Sequence, residues 1–233
     1  MSTLYLITAR GGSKGIPGKN IKLLNNKPLL YYAIDVARKF VSDEFICLSS
    51  DDDAIIKSAE SYGLKVPFIR PDVLAQDKSG SYEVILHALE FYLNKGYKID
   101  KIVLLQPTSP FRLVSDVKNA LQLFTESIDA VYSVKITHAN PFQLLYVQNN
   151  SGYLEKVISS KNYINRQEMP IVYELNGAIY VFNSSSILNT KISEFKKCIP
   201  SVMNDINSID IDTPLDWEWA EFLLKNNKIH FDY

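Results

Sequence analysis

Leu4-Tyr5-Leu6-Ile7, followed at once by Ala9-Arg10-Gly11-Gly12-Ser13-Lys14-Gly15-Ile16-Pro17-Gly18-Lys19-Asn20, is the stretch from which the rest of the chain can be ordered. Four consecutive apolar residues read as a first buried strand. A glycine-rich turn leaving such a strand lets backbone N–H groups approach an anion closely, and Arg10, Lys14 and Lys19 add the positive charge that a polyphosphate needs. Spacing excludes two commoner phosphate motifs. A Walker A loop needs Gly, four residues, then Gly-Lys and Ser or Thr; counting back from Gly18-Lys19 puts Ser13 at the opening glycine, and Asn20 stands where the hydroxyl belongs. The dinucleotide pattern G-x-G-x-x-G fails too, because no two of Gly11, Gly12, Gly15 and Gly18 are separated by a single residue.

Outward from this stretch, strand-like and helix-like runs alternate, which argues for crossover units around a largely parallel sheet. Pro28 to Phe40 reads as a helix, Glu44 to Ser49 as the second strand, and Asp51 to Tyr62 as a helix closed by Gly63. A short strand at Val66 to Ile69, a helix over Ser81 to Leu93, a strand at Lys101 to Leu105, a helix over Val114 to Phe124 and a strand at Ala130 to Val134 continue the series. From Thr137 to Glu174 the pattern changes: Leu144 to Val147, a turn at Asn149 to Gly152 and Tyr153 to Val157 resemble a hairpin, read as an insertion at about 137–174. Gly177 to Phe182 returns as a strand, with helices at Ser185 to Leu188 and Leu215 to Leu224. With no repeat or linker, residues 1–233 read as a single α/β domain.

At 233 residues, 46% hydrophobic and a formal charge of -1, the chain can bury a substantial core and carries no general affinity for nucleic acid. A polyanion site must therefore be built locally, as Arg10 to Lys19 would do. The start lacks the pattern of a signal peptide and no apolar run approaches the roughly 20 residues of a membrane span, so a cytoplasmic protein with no membrane partner is expected. Cys47 and Cys198 read as small packed thiols, and His87, His138 and His230 lack zinc-site spacing.

Asp210-Ile211-Asp212 sets two carboxylates on one side of an extended chain with Ile211 on the other, a pattern that suits a divalent cation and equally an acidic turn before a helix. Gln106-Pro107-Thr108-Ser109-Pro110-Phe111-Arg112 follows the strongest strand. In an open parallel sheet, ligands sit beyond the carboxyl ends of strands, so this loop and the Arg10 to Asn20 loop should face one cleft. Arg70-Pro71 and Asp77-Lys78-Ser79-Gly80-Ser81 form a further polar stretch that can read a base and ribose or cap the next helix.

Together these residues resemble the acylneuraminate cytidylyltransferase family, the CMP-sialic acid synthetases. The resemblance covers nearly the whole chain. It is carried by Arg10, Ser13, Pro17, Lys19 and Asn20; by Arg70-Pro71, Leu74-Ala75 and Asp77; by Gln106 to Pro110; by Asn176-Gly177-Ala178-Ile179-Tyr180; and by Ser208 to Asp212. It implies a three-layer, Rossmann-like nucleotidyltransferase fold whose insertion forms a homodimer. It also implies transfer of CMP from CTP to the anomeric hydroxyl of a nine-carbon 2-keto sugar acid, with release of pyrophosphate. By that pattern Arg10, Gly12, Ser13, Lys14, Lys19 and Asn20 would hold the triphosphate, and Arg70, Asp77, Ser79 and Ser81 would enclose cytosine and ribose. Gln106, Arg166, Asn176 and Tyr180 would face the sugar acid, Arg166 through a forked pair with its carboxylate. Asp210 and Asp212 would hold Mg2+, and Arg10, Lys19 and Asp212 would act in the chemical step. The proton of the attacking hydroxyl is assigned to Asp212 or to a metal-bound water.

Two departures bear on the sugar. Sialic acid members often carry a basic residue after a His-Pro element, where this chain reads His138-Ala139-Asn140-Pro141-Phe142-Gln143, and Glu174 stands at a position that is basic in some members. A less cationic pocket favours legionaminic or a related nonulosonic acid over N-acetylneuraminic acid. Two other readings stay open: a glycosyltransferase using the D-x-D on a nucleotide sugar, and a nucleotide-binding regulator without catalysis.

Overall fold

The structure, a computed structural model of the chain, describes residues 2–76, 80–159, 163 and 165–233. β1 (Thr3–Thr8) leads into the glycine loop, and a tight pair of two-residue strands, β2 (Leu23–Leu24) and β3 (Lys27–Pro28), follows. Asn25 and Asn26 turn it with φ of 49° and 62°, the left-handed geometry that short hairpins require. Next come α1 (Leu29–Ala37), β4 (Ile46–Ser49), α2 (Asp53–Ser61), α3 (Ser81–Asn94), β5 (Lys101–Leu105), α4 (Val114–Leu123) and β6 (Ala130–Ile136). The hairpin β7 (Tyr146–Gln148) and β8 (Leu154–Lys156) precedes the long strand β9 (Tyr173–Asn183), α5 (Ser184–Asn189), β10 (Cys198–Val202) and α6 (Pro214–Lys225).

Six strands form one sheet in the order β10-β6-β9-β5-β1-β4, and only β9 runs against its neighbours. β1 is buried on both faces, as its unbroken apolar run requires. Leu4 and Leu6 pack towards α3 and Ile187 of α5, while Tyr5 and Ile7 pack towards α1, α2 and α4. The result is the three-layer α/β fold expected from the alternation of elements. The chain passes from β1 to β4 on one side and then returns to β5 on the other, which opens a crevice between the carboxyl ends of β1 and β5.

Three expectations are corrected. Val66 to Ile69 forms no ladder: Pro67 has no N–H to give, and the segment is tied to the sheet's edge by one bond, from Arg70 N–H to the Ser50 carbonyl at 2.8 Å. The returning strand begins at Tyr173 rather than Gly177, so the end of the 137–174 segment is already sheet, with Glu174 opposite Lys135. The edge strand β10 gave no clear signal, because Pro200 interrupts it and only Ser201 is buried. Consequently Cys198 is exposed rather than packed, whereas Cys47 is fully buried and its thiol is pushed well above its ordinary value by desolvation. A thiol reagent such as Ellman's should label one cysteine per native chain and two after denaturation; labelling of both in the folded protein would contradict this packing.

Candidate active site

The crevice between β1 and β5 opens into a cavity of about 540 Å³, within the range of small-molecule sites. Its walls include Thr8 at the end of β1, Arg10, Ser13, Lys14, Lys19 and Asn20 from the glycine loop, Arg70, Gln106, Thr108 and Asp212. Gly80 and Ser81 bring the amino-terminal end of α3, which has no side-chain cap from Gly80, to the same wall. The lining is thus cationic and rich in donors. Gly12 is the member of the expected set left outside the lining, on the open side of the loop.

The loop holds its shape by three contacts. Ile16 is buried beneath it, Asn20 donates from Nδ2 to the Arg10 carbonyl at 3.0 Å, and the Lys19 ammonium reaches across the chain. Lys19 Nζ donates to the Ile211 carbonyl at 2.6 Å and to Asp212 Oδ1 at 2.9 Å, with its side chain 9% exposed against 70% for Asp212. Gly15 permits this closure: a Cβ there would stand 2.0 Å from the Asp212 carbonyl oxygen, a backbone atom with no room to retreat. Arg70 is equally fixed, donating from Nε to Ser49 Oγ and from Nη2 to the Ser49 carbonyl, and burial lowers its pKa.

The Gln106 to Arg112 loop and the acidic stretch are bound together. Ile211 N–H donates to the Thr108 carbonyl at 2.8 Å, and Ile211 is fully buried, so Asp210 and Asp212 both stand away from the core as the spacing required. Asp212 lines the first cavity and Asp210 a second one. Surrounding protein pushes the Asp210 carboxyl above its usual range although solvent still reaches it; its bond with Thr108 opposes that shift, and the nearby Asp212 charge adds to it. Arg112 lies underneath, 1% exposed, with Nη2 donating to the Gln106 carbonyl and Nε and Nη1 lacking partners among the described residues. Burial brings its pKa down to about 10, so it remains cationic at neutral pH.

The second cavity, of about 510 Å³, meets the first at Gln106, which lines both. Tyr180, Gly177, Asn176, Lys135, Glu174 and Trp219 contribute to its walls. Gly177, at φ +72°, allows β9 to bulge opposite Ser133 and lets Gln106 Oε1 come within 3.4 Å of the place a Cβ would take. The Asn176 amide is turned inward and fully used: Oδ1 accepts from Ser133 Oγ and Ala178 N, and Nδ2 donates to Ser208 Oγ and Met203 Sδ. Tyr180 Oη accepts from Gly177 N–H at 3.1 Å. Lys135 pairs with Glu174 at 3.2 Å.

Twelve of the residues expected at the site therefore line one cavity or the other, on strands and loops far apart in sequence. Asp77 and Ser79 lie outside the described residues, as does the side chain of Arg166, whose backbone opens a short turn at Arg166–Glu168. Sequence reasoning missed Lys135, whose only local mark is strand alternation, and Trp219, which reads as one more apolar position of a helix. Among the described residues no group of three or more acidic, histidine or cysteine side chains gathers to hold a metal. Two carboxylates beside a donor-rich anion cavity nevertheless suit magnesium, which takes one or two protein carboxylates and completes its shell with water and phosphate oxygens.

Because the clash at Gly15 is with backbone, G15A should displace Asp212 or the loop by more than an ångström and lower turnover on the order of 100-fold while the far-ultraviolet circular dichroism stays native. A G15A enzyme of normal activity would contradict the closure described.

Residues 4–229 match the sequence profile of a family described as Cytidylyltransferase. The chain is 34% identical over 229 residues to a CMP-N,N'-diacetyllegionaminic acid synthase of Legionella pneumophila, covering 98% of each. It is 34% identical to an N-acylneuraminate cytidylyltransferase of Escherichia coli over 93% of its own length and 51% of that longer protein. A solved CMP:2-keto-3-deoxy-manno-octonic acid synthetase with CTP bound aligns over 97% of this chain and all of its own at a TM-score of 0.71, a likeness of fold at 17% identity. A strand-born glycine-lysine loop, a Gln106 loop and an acidic stretch closed on one crevice, with a profile match over almost the whole length, place the chain in the cytidylyltransferase family.

Proposed function

We propose that the protein transfers CMP from CTP to the anomeric hydroxyl of a nonulosonic acid, releasing pyrophosphate. The observation that carries this reading is the pair of cavities of about 540 and 510 Å³ joined at Gln106, one basic and headed by a helix amino terminus, the other lined by directed polar groups. The names of the relatives agree on CTP-dependent transfer to such acids. Of these acids, the legionaminic type is favoured, because the His138 to Gln143 stretch departs from the His-Pro and basic pattern of sialic acid members, Glu174 stands where some of them are basic, and the match to a legionaminic acid synthase is full-length. CTP and its acceptor place the reaction in the cytoplasm.

In this reading the triphosphate lies along the glycine loop against Arg10, Lys14 and Lys19, and Arg70 and Ser81 face the nucleoside. Each charge pair at about 4 Å is worth about 4 kcal/mol at an effective dielectric near 20, so several such contacts offset the desolvation of a triphosphate. Gln106 and Tyr180 orient the sugar acid in the second cavity. The anomeric oxygen forms its bond to the α-phosphorus as the bond to the β-phosphate oxygen breaks, pyrophosphate leaves with the electron pair, and the hydroxyl proton passes to Asp212. Magnesium at Asp210 and Asp212 would supply neutralisation of phosphate charge. The work of the chain's own residues is alignment and charge compensation.

The insertion exposes Leu144, Tyr146, Val147, Tyr153, Leu154 and Ile171, with Tyr153 and Leu154 each more than 70% accessible, the kind of apolar exposure that marks interaction surfaces. We therefore assign a homodimer joined through this segment. Sedimentation analysis should give twice the chain mass, and L154E should give a monomer.

Pyrophosphate release from CTP, magnesium and a panel of nonulosonic acids tests the activity, with N,N'-diacetyllegionaminic acid expected to be turned over faster than N-acetylneuraminic acid. Absence of release with every acid would overturn the reading. D212N should lower kcat on the order of 100-fold with little change in KM for CTP, and normal turnover would remove Asp212 as the proton acceptor.

A further inference from the structure

The second cavity poses an electrostatic problem for the ligand assigned to it. Its walls carry the carboxylates of Glu174, Asp205, Asp210 and Asp216 against the single ammonium of Lys135 among the described residues, and that ammonium is held by Glu174 at 3.2 Å. The described walls give a sugar acid no net attraction, so contacts that charge does not oppose gain weight in its binding there. Trp219 provides one. It stands on the outward side of α6, is 50% exposed, and borders the cavity beside Tyr180. Its indole is braced by stacking on Phe222, with ring centroids 5.3 Å apart and planes within 10° of parallel. The other tryptophan of the helix, Trp217, faces inward, 4% exposed, with Nε1 donating to Glu221.

A large aromatic held rigid and left half in solvent at the mouth of a polar cavity loses little freedom when a ligand covers it. Its π-face carries negative charge density, which attracts the polarised C–H groups on the apolar face of a pyranose ring. We infer that Trp219 is the platform on which the ring of the acceptor sugar acid stacks, and so a specificity-determining residue for the second substrate. The inference rests on the proposed transfer to a nonulosonic acid.

The test uses the full-length enzyme in two measurements. In pyrophosphate release, W219A should raise KM for the acceptor acid about tenfold and leave KM for CTP within twofold, while W219F keeps the acceptor KM within about threefold. In fluorescence, the acceptor added with an α,β-methylene analogue of CTP, which cannot be transferred, should shift the wild-type tryptophan emission to the blue, and W219F should lose the shift although Trp217 remains. Wild-type turnover combined with an unchanged acceptor KM in W219A overturns the platform alone. Should W219A fail to fold, an unshifted wild-type spectrum at saturating acceptor overturns it. No turnover by the wild type on any nonulosonic acid overturns the proposed function, and this inference with it.

Discussion

The burial of three side chains from three separate loops in one apolar cluster is the constraint on which the rest of the site depends. Ile16 comes from the glycine loop, Phe111 from the loop after β5 and Ile211 from the acidic stretch, and all three pack with Leu24, Leu29, Tyr32, Trp217, Ala220 and Leu223. Burying such a side chain contributes roughly 1.5–3 kcal/mol, against about 1–2 kcal/mol to order the backbone of one residue. Each anchor can therefore hold itself and part of its loop. The polar neighbours of the anchors, Lys14, Lys19, Gln106, Asp210 and Asp212, are left on the side that faces the crevice.

Charge then divides the crevice. The first cavity gathers cations and a helix amino terminus, and Lys19 draws Asp212 to it across the cluster. The second gathers carboxylates around Lys135. Arg112 sits beneath the junction as a buried cation that donates to the Gln106 backbone, and it fixes the residue that both cavities share. The two cavities thus meet at Gln106 with opposite electrostatic surroundings.

What could be read from sequence follows from how local each signal is. β1 with its loop, Gln106 to Arg112 and Asp210 to Asp212 are contiguous runs whose residue types have few other uses, and the structure brings all three to one crevice. The pairing of Lys19 with the Ile211 carbonyl and Asp212 spans about 190 residues, so nothing local announces it. Asn176 illustrates a different gap: its presence at the second cavity was legible, but the four bonds that turn its amide inward were not. β10 escaped notice because an edge strand needs no strict apolar alternation, and Val66 to Ile69 was misread because extended, apolar chain around Pro67 resembles a strand without offering ladder donors.

The sharing of Gln106 as the one residue common to both cavities has a consequence for how such an enzyme can diversify. The walls of the second cavity come from β6, β9, the 205–210 stretch and α6, and those of the first from the glycine loop, Arg70, α3, the end of β5 and Asp212. Apart from Gln106 and the acidic stretch, the two sets share no element, so substitutions on β6 and β9 can reshape the second cavity while the first stays under separate selection. Gln106 is the hinge of that division, the position where a change would be felt in both cavities at once.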